Sequence, residues 1–273
     1  MTEPVRFGQL AGVLAVPAGA TACVVLGHGF SATVASGLAF YVERFAAAGF
    51  AALAFDYRSF GASGGLPREV LSVPAQLTDW ASAVAYARTV APAVALWGTS
   101  YGGGHVLEVA ARDSGVAAVV AQVPFVSGPA TLRTFRTATA LSMLAAGAVD
   151  RLGARVGAPP LYLPTARRSG DPRRPSLADL DPDGRHRVAA RAFLELRGYL
   201  PGRAAASVGC PLLVQVAEHD EITPAPPARA AARAAPRGEL VQYPGRHFDV
   251  YVGAGRDRAV ADQIAFLDRS LRS

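Results

Sequence analysis

The residues whose types and order could do chemistry together are Ser100, Asp220 and His247. Ser100 sits in Gly98-Thr99-Ser100-Tyr101-Gly102, between an apolar run at Ala93–Trp97 and a helix-capable run from Tyr101 to Arg112. A strand that turns sharply into a helix at a GxSxG sequence holds its serine in a strained conformation. The glycines two residues away on either side remove the Cβ atoms that would collide there. The same turn aims the Tyr101 N–H and the start of the helix at any oxyanion formed beside Ser100. The pattern predicts a nucleophilic serine; its alternative is a glycine-rich strand-to-helix turn without chemistry. Further along come an acid in Glu218-His219-Asp220 and a histidine in Gly245-Arg246-His247, the types that orient and carry a proton taken from a serine hydroxyl.

Positioning these groups requires alternating strands and helices. Residues 12–17, Ala22–Leu26, Ala51–Phe55, Ala93–Trp97 and Val116–Val123 read as strands, and the fully apolar runs suit a parallel sheet buried on both faces. Between them, Ser36–Ala48, Pro74–Val90 and Tyr101–Arg112 have helical spacing. This rhythm predicts right-handed βαβ units on a mostly parallel sheet. After Pro124 it breaks. An alanine-rich helical segment at Thr131–Val149, an arginine- and proline-rich run at 167–175 and a helical segment at Arg187–Leu200 predict an inserted helical cap over 125–208. The rhythm returns with a strand at Pro211–Ala217, a helix at Pro224–Ala235, a strand at Glu239–Tyr243 and a closing helix at Ala259–Leu271. The expected organisation is one core, 1–124 and 209–273, interrupted by the cap.

Composition removes several classes of function. The chain has 273 residues, 51% of them hydrophobic, enough for a sizeable core. All 27 basic residues are arginine, scattered among alanines, and the net charge of +6 comes with no nucleic-acid-binding motif, so no nucleic-acid partner is predicted. Cys23 and Cys210 read as two thiols rather than a disulfide framework. The first six residues have no apolar core, and the longest apolar stretch, about a dozen residues at Ala138–Val149, is too short to cross a bilayer. A cytoplasmic protein without membrane partners is expected. The five histidines sit on separate segments, and neither GxGxxG with a following acid nor a P-loop occurs, so no metal and no cofactor are predicted.

In open α/β sheets ligands bind beyond the carboxyl ends of the strands. The segments there are Gly27-His28-Gly29-Phe30, Asp56-Tyr57-Arg58, Ser100, Pro124-Phe125, Glu218-His219-Asp220 and Gly245-Arg246-His247. Serine, acid, histidine in that chain order is the order of the α/β-hydrolase fold. With Leu26–Phe30, Phe55–Ser63, Gly98–Gly102, Glu218–Pro224 and Gly245–Asp249, the chain resembles the α/β-hydrolase superfamily of serine hydrolases over roughly 12–124 and 211–271. Within it, the chain is similar to the dienelactone-hydrolase, acyl-thioesterase and S15-peptidase-like branches, including polyketide-pathway hydrolases.

The resemblance implies that His247 takes the Ser100 proton, that Asp220 orients the imidazole with Glu218 in reserve, and that the N–H groups of Phe30 and Tyr101 form the oxyanion hole. It assigns His28, Asp56 and Arg58 to ordering loops. His105, His186 and Asp249 are expected to take no catalytic part. Cleavage of a carboxylic ester or thioester through an acyl-enzyme is the expected activity. Acyl transfer or cyclisation from the same Ser100 intermediate, and a non-catalytic binding protein on this fold, stand as alternatives. The apolar residues of the cap, among them Phe125, Val126, Leu132, Phe135, Leu141, Met143, Leu144, Leu161, Tyr162 and Leu163, either line a pocket for an apolar acyl substrate or pack the cap onto the core. Arg167, Arg168, Arg173 and Arg174 form a solvated loop or meet an acyl carrier protein or a coenzyme A thioester.

Overall fold

The structure is a computed structural model and describes residues 2–171 and 173–272. An eight-stranded sheet runs through it in the order β1-β2-β4-β3-β5-β6-β9-β10. These strands are β1 (Thr2–Phe7), β2 (Leu10–Ala15), β3 (Ala22–Gly27), β4 (Ala51–Phe55), β5 (Ala93–Thr99), β6 (Ala118–Gln122), β9 (Leu212–Ala217) and β10 (Gly238–Tyr243). From β4 to β10 all neighbours pair in parallel, while β1 and β2 join antiparallel at one edge.

Helices cover both faces. Along β3, Cys23 and Val25 pack toward α2 (Val73–Val90), α3 (Tyr101–Arg112) and α8 (Ala225–Ala234), and Val24 and Leu26 toward α1 (Leu38–Ala47) and α9 (Gly253–Leu271). Successive side chains of a strand point to opposite faces, so a strand covered on both sides must be apolar throughout. β3, β4, β6 and β9 are buried along their whole lengths. Because the strands are parallel, the turns after β3, β5, β6, β9 and β10 all emerge at one edge of the sheet.

Between β6 and β9 lies the insertion: α4 (Gly128–Leu132), α5 (Thr137–Arg155), β7 (Tyr162–Pro164), α6 (Leu177–Leu180), β8 (Arg187–Ala189), α7 (Ala192–Gly198) and a 3-10 turn at Pro201–Ser207. It is not wholly helical, contrary to the sequence expectation. The segment 187–200 starts as a strand, and β8 pairs antiparallel with β7 in a separate two-stranded sheet. The expected helix at Thr131–Val149 is two helices. β1, with an exposed face and a proline in mid-strand, carries no apolar run and escaped a sequence reading built on buried strands. α9 starts six residues before the predicted Ala259, because Gly253 and Gly255 weaken the helical signal.

Three fully buried glutamines tie the core together: Gln122 on β6, Gln215 on β9 and Gln263 on α9. Gln263 Nε2 donates to Gln122 Oε1 and Gln215 Oε1, both at 2.7 Å, and its Oε1 accepts from Trp97 Nε1 at 3.0 Å. Gln122 Nε2 donates to Tyr41 Oη and Thr99 Oγ1, both at 3.2 Å. Gln215 Nε2 donates to Tyr243 Oη at 2.6 Å and to the Ala259 carbonyl at 3.0 Å. All three amides use both their N–H groups and their oxygen, as burial demands. Removing the central one strands its partners. Gln263→Leu is expected to lower unfolding free energy by at least about 2 kcal/mol, since a buried group left unpaired costs roughly 1–3 kcal/mol; urea titration measures this.

Candidate active site

The turn after β5 is set by backbone contacts. A Cβ on Gly98 would overlap the Gly102 carbonyl, and one on Gly102 would stand 2.6 Å from the carbonyl oxygens of both Gly27 and His28. No side chain fits either position. Ser100 lies between them at φ 52°, ψ −115°, a region that non-glycine residues rarely occupy. Its N–H donates to the Gln122 carbonyl at 2.9 Å, and its own carbonyl accepts from Phe125 N–H at 2.8 Å. Thus β6 and the chain beyond it clamp the strained residue. The β3 turn passes directly alongside: a Cβ on Gly29 would sit 3.2 Å from Ser100 Cβ. This brings the Phe30 backbone next to Ser100 and the Tyr101 N–H.

Asp220 and His247 come together on the turns after β9 and β10. His247 Nδ1 donates to Asp220 Oδ2 at 2.7 Å, both side chains being almost fully buried. Asp220 Oδ1 accepts from the Ile222 and Thr223 N–H groups at 2.9 and 2.7 Å. Burial alone pushes the Asp220 carboxyl up, but the charge and hydrogen bond of His247 and these two N–H groups outweigh it and hold the group below the ordinary carboxylate value. Glu218, the reserve acid, is exposed, as is His219. Thr223 was missed by the sequence reading. Its Oγ1 is 2.9 Å from Asp220 Oδ2 and 3.1 Å from His247 Nδ1, and donates to the Val123 carbonyl at 3.0 Å. The signal was the Asp-x-x-Thr spacing, which lets an acid and a hydroxyl fold back on one turn. The 3-10 turn carrying His247 (His247–Tyr251) is tied to the sheet by Tyr251 Oη, 2.5 Å from Thr99 Oγ1, and by Tyr41 Oη, which donates to the Val250 carbonyl at 3.3 Å.

The other predicted groups order loops. His28 Nδ1 donates to the Gly29 carbonyl at 2.9 Å and its Nε2 accepts from Tyr57 N–H at 3.4 Å; burial lowers its pKa against the opposing charge of Asp56. Asp56 accepts from Val34 N–H and Ala62 N–H at 2.7 and 2.8 Å, and Arg58 grips the buried Asp79 at 2.7 Å. Asp249 caps its own turn by accepting from Arg246 N–H at 2.7 Å. His186 lies in the insertion, apart from the Ser100 cavity. His105 is buried behind the turn, with Nε2 donating to Gln76 Oε1 at 2.9 Å and Nδ1 accepting from Tyr199 Oη at 2.7 Å. Burial, helped by His28, brings its pKa down to about 3.

Ser100, Tyr101, Thr223 and His247 share the wall of one cavity of about 370 Å³. Phe30, Phe125, Leu132, Met143, Phe193 and Leu196 make the rest of it largely apolar. Phe135 also lines it, whereas Leu141 and Leu161 face solvent, and Tyr162 stacks on Arg187 and donates to the Arg68 carbonyl. Phe193 and Leu196 were not foreseen, because α7 was read as part of a longer helix with no direction assigned. Arg167, Arg168, Arg173 and Arg174 are exposed. Among the described residues no helix is long and apolar enough to cross a membrane.

A doubly covered, mostly parallel sheet with a serine at a strained strand-to-helix turn defines the class as the α/β-hydrolase fold. The chain belongs to the serine aminopeptidase S33 family, whose model it matches over residues 18–248. It is 38% identical over 264 residues to the quorum-quenching protein AidA of Acinetobacter baumannii, covering 92% of this chain and 87% of that one. It is 31% identical to the thiohydrolase aneE of Aspergillus aculeatus over 107 residues, 38% of this chain and 34% of that one. The solved structure of the DcsB complex with its substrate analogue is similar with a TM-score of 0.85 at 21% identity, covering 99% of this chain and 100% of that one. The chain is therefore an enzyme of a hydrolase family.

The buried neutral His105 gives stability a pH dependence of definite sign. Its folded pKa, about 3, lies below the ordinary value near 6.5. Between these values the unfolded chain takes up a proton that the folded chain cannot, so stability is full above about pH 6.5 and falls on acidification. His28, also lowered, acts in the same sense. Urea midpoints measured from pH 7.5 to 4.5 should fall steadily, and less steeply in His105→Gln, which keeps partners for Tyr199 and Gln76.

Proposed function

We propose that the protein is a serine hydrolase that cleaves a carboxylic ester or thioester through an acyl-enzyme, with Ser100, His247 and Asp220 as its catalytic triad. The observation that carries this reading is the buried 2.7 Å contact between His247 and Asp220, on a histidine that shares the wall of one apolar cavity with the strained Ser100. Asp220 fixes the tautomer in which Nδ1 holds the hydrogen and Nε2 is free to accept one. Ser100 Oγ attacks the acyl carbon while His247 Nε2 takes its proton. The oxyanion is met by the N–H groups of Phe30 and Tyr101. When the C–O or C–S bond breaks, the leaving alcohol or thiol takes that proton from His247. Water then gives its proton to His247 as it attacks the acyl carbon, and the carboxylic acid departs with Ser100 restored.

The apolar lining favours an apolar acyl group, and burying it there is worth roughly 0.8 kcal/mol per methylene. The insertion acts as a cap that supplies Leu132, Met143, Phe193 and Leu196 to this lining. The similarity to aneE, a thiohydrolase, supports thioesters as one substrate class.

Intact mass after incubation with a fluorophosphonate is the direct test. One adduct per chain is expected, mapping to the Gly98–Gly102 peptide and absent in Ser100→Ala; an unmodified, folded native protein would overturn the reading. Asp220→Asn should lower kcat by about three to four orders of magnitude, as expected when the wrong histidine tautomer is held. Tyr101→Phe provides the contrast. The Tyr101 hydroxyl is buried with no hydrogen-bond partner among the described residues, and the proposal uses only the backbone N–H. Labelling rate should be kept and the melting temperature unchanged or raised, because deleting an unpaired buried hydroxyl removes a penalty.

A further inference from the structure

Beyond Ser31, which lines both spaces, the apolar cavity is adjoined by a second one of about 530 Å³ lined mostly by polar and charged residues. Two hydroxyl contacts lie at the boundary between the two spaces. Ser31 Oγ lies 2.6 Å from Thr165 Oγ1, and Ser36 Oγ donates to Asp181 Oδ2 at 2.9 Å. Thr165 and Ser36 line the apolar side, Asp181 the polar side. Ser31 directly follows Phe30, so the polar chamber begins one residue, about 3.8 Å of chain, from the backbone N–H proposed to meet the oxyanion.

The chamber is lined by three guanidinium groups, of Arg68, Arg185 and Arg187, and three carboxylates, of Glu69, Asp181 and Asp183, but they pair unevenly. The buried Glu69 carboxylate faces two guanidinium groups, Arg187 at 3.3 Å and Arg185 at 3.7 Å. Arg68 is bonded to the backbone carbonyls of Ser63, Gly61 and Gly65, with no carboxylate partner among the described residues. Arg185 and Arg187 thus share one carboxylate, and Arg68 pairs with none among the described residues. Asp181 accepts from the hydroxyls of Ser36 and Thr33 and forms no ion pair among the described residues, and Asp183 is exposed. Arg185, with 66% of its side chain exposed, is held least and can swing onto a ligand. Three of the non-glycine residues with left-handed backbone, Ser31 (φ 55°), Glu69 (φ 53°) and His186 (φ 39°), line this chamber. Such conformations are costly and concentrate where a site is being shaped.

Resting on the hydrolase reading above, we infer that the polar chamber receives the leaving-group half of the substrate and selects a leaving group that bears a carboxylate. With the acyl carbon at Ser100 and its oxygen toward Phe30, the acyl chain enters the apolar cavity and the leaving group passes Ser31. Its carboxylate there meets Arg185 and Arg187, whose forked donors match a carboxylate in a way that a hydroxyl does not use. The substrate is then amphiphilic, apolar on one side of the scissile bond and anionic on the other.

Three octanoyl thioesters that share the acyl chain and differ in the thiol test this: 3-mercaptopropionate (anionic), 3-mercaptopropanol (neutral) and 3-mercaptopropyl-trimethylammonium (cationic). The native protein is expected to show a kcat/KM for the anionic thioester at least about tenfold above the neutral one, the effect of one charge-assisted pair, with the cationic one lowest. In Arg185→Gln the anionic-to-neutral ratio should fall toward one. In Arg112→Gln, whose side chain pairs with Glu108 on the far end of α3, the ratio should persist. A ratio near one in the native protein, a ratio that survives Arg185→Gln, or no turnover of any of the three overturns the inference. Fluorophosphonate labelling of the same samples separates the two readings. Intact labelling without leaving-group preference removes the chamber's role alone, and absent labelling removes the hydrolase reading together with it.

Discussion

The close approach of two backbones, the turn after β3 and the turn after β5, is the constraint on which the rest of the site depends. Gly102 meets the carbonyls of Gly27 and His28 at a distance that leaves no room for a methyl group. That contact places Ser100 beside Gly29 and Phe30, and it is maintained against local strain, since Ser100 itself sits at positive φ. The strain is held by hydrogen bonds on both sides of the serine, from Ser100 N–H to β6 and from Phe125 N–H to Ser100. A fold that lost either set of bonds would relax the turn and shift Ser100.

A second layer of order comes from polar groups buried where apolar ones would have sufficed for packing. The Gln122–Gln215–Gln263 group spans two strands and the last helix, and through Thr99 and Tyr41 it reaches the turn that carries His247. Thr99 precedes Ser100 and contacts Tyr251, so the same network borders both the serine and the histidine. A fully satisfied network is directional in a way that apolar contacts are not, and it specifies one register for α9 against the sheet.

The insertion does two things with one chain. Its helices α4, α5 and α7 contribute apolar side chains to the cavity over Ser100, while its β7–β8 hairpin carries Arg187 and adjoins Arg185 at the polar chamber. Ser31 stands between them. In the proposed function, a site divided in this way would set the shape and polarity of a substrate on either side of its reacting carbon.

Much of the fold was legible in the sequence, because a strand buried on both faces must be apolar throughout and a helix that ends in a left-handed residue shows a glycine there. Ala22–Leu26, Ala51–Phe55 and the helix that stops at Gly49 were readable for those reasons, and the order of Ser100, Asp220 and His247 lies along the chain itself. The edge strand β1 was not, since an exposed strand is under no pressure to be apolar, and neither was β8, whose three residues are too few to show a period. Which acid meets His247 was open between Asp220 and Glu218; only the packing of two turns after adjacent strands buried one and exposed the other. Thr223, Phe193 and the polar chamber behind Ser31 belong to the tertiary structure alone. They arise where segments distant in sequence meet, and no local pattern records what a residue will face across a cavity. Which residues carried reactive side-chain types could be read directly along the chain, because side-chain type and turn propensity are local properties. Distance, burial and the division of space around them are not, and only the packed chain decided those.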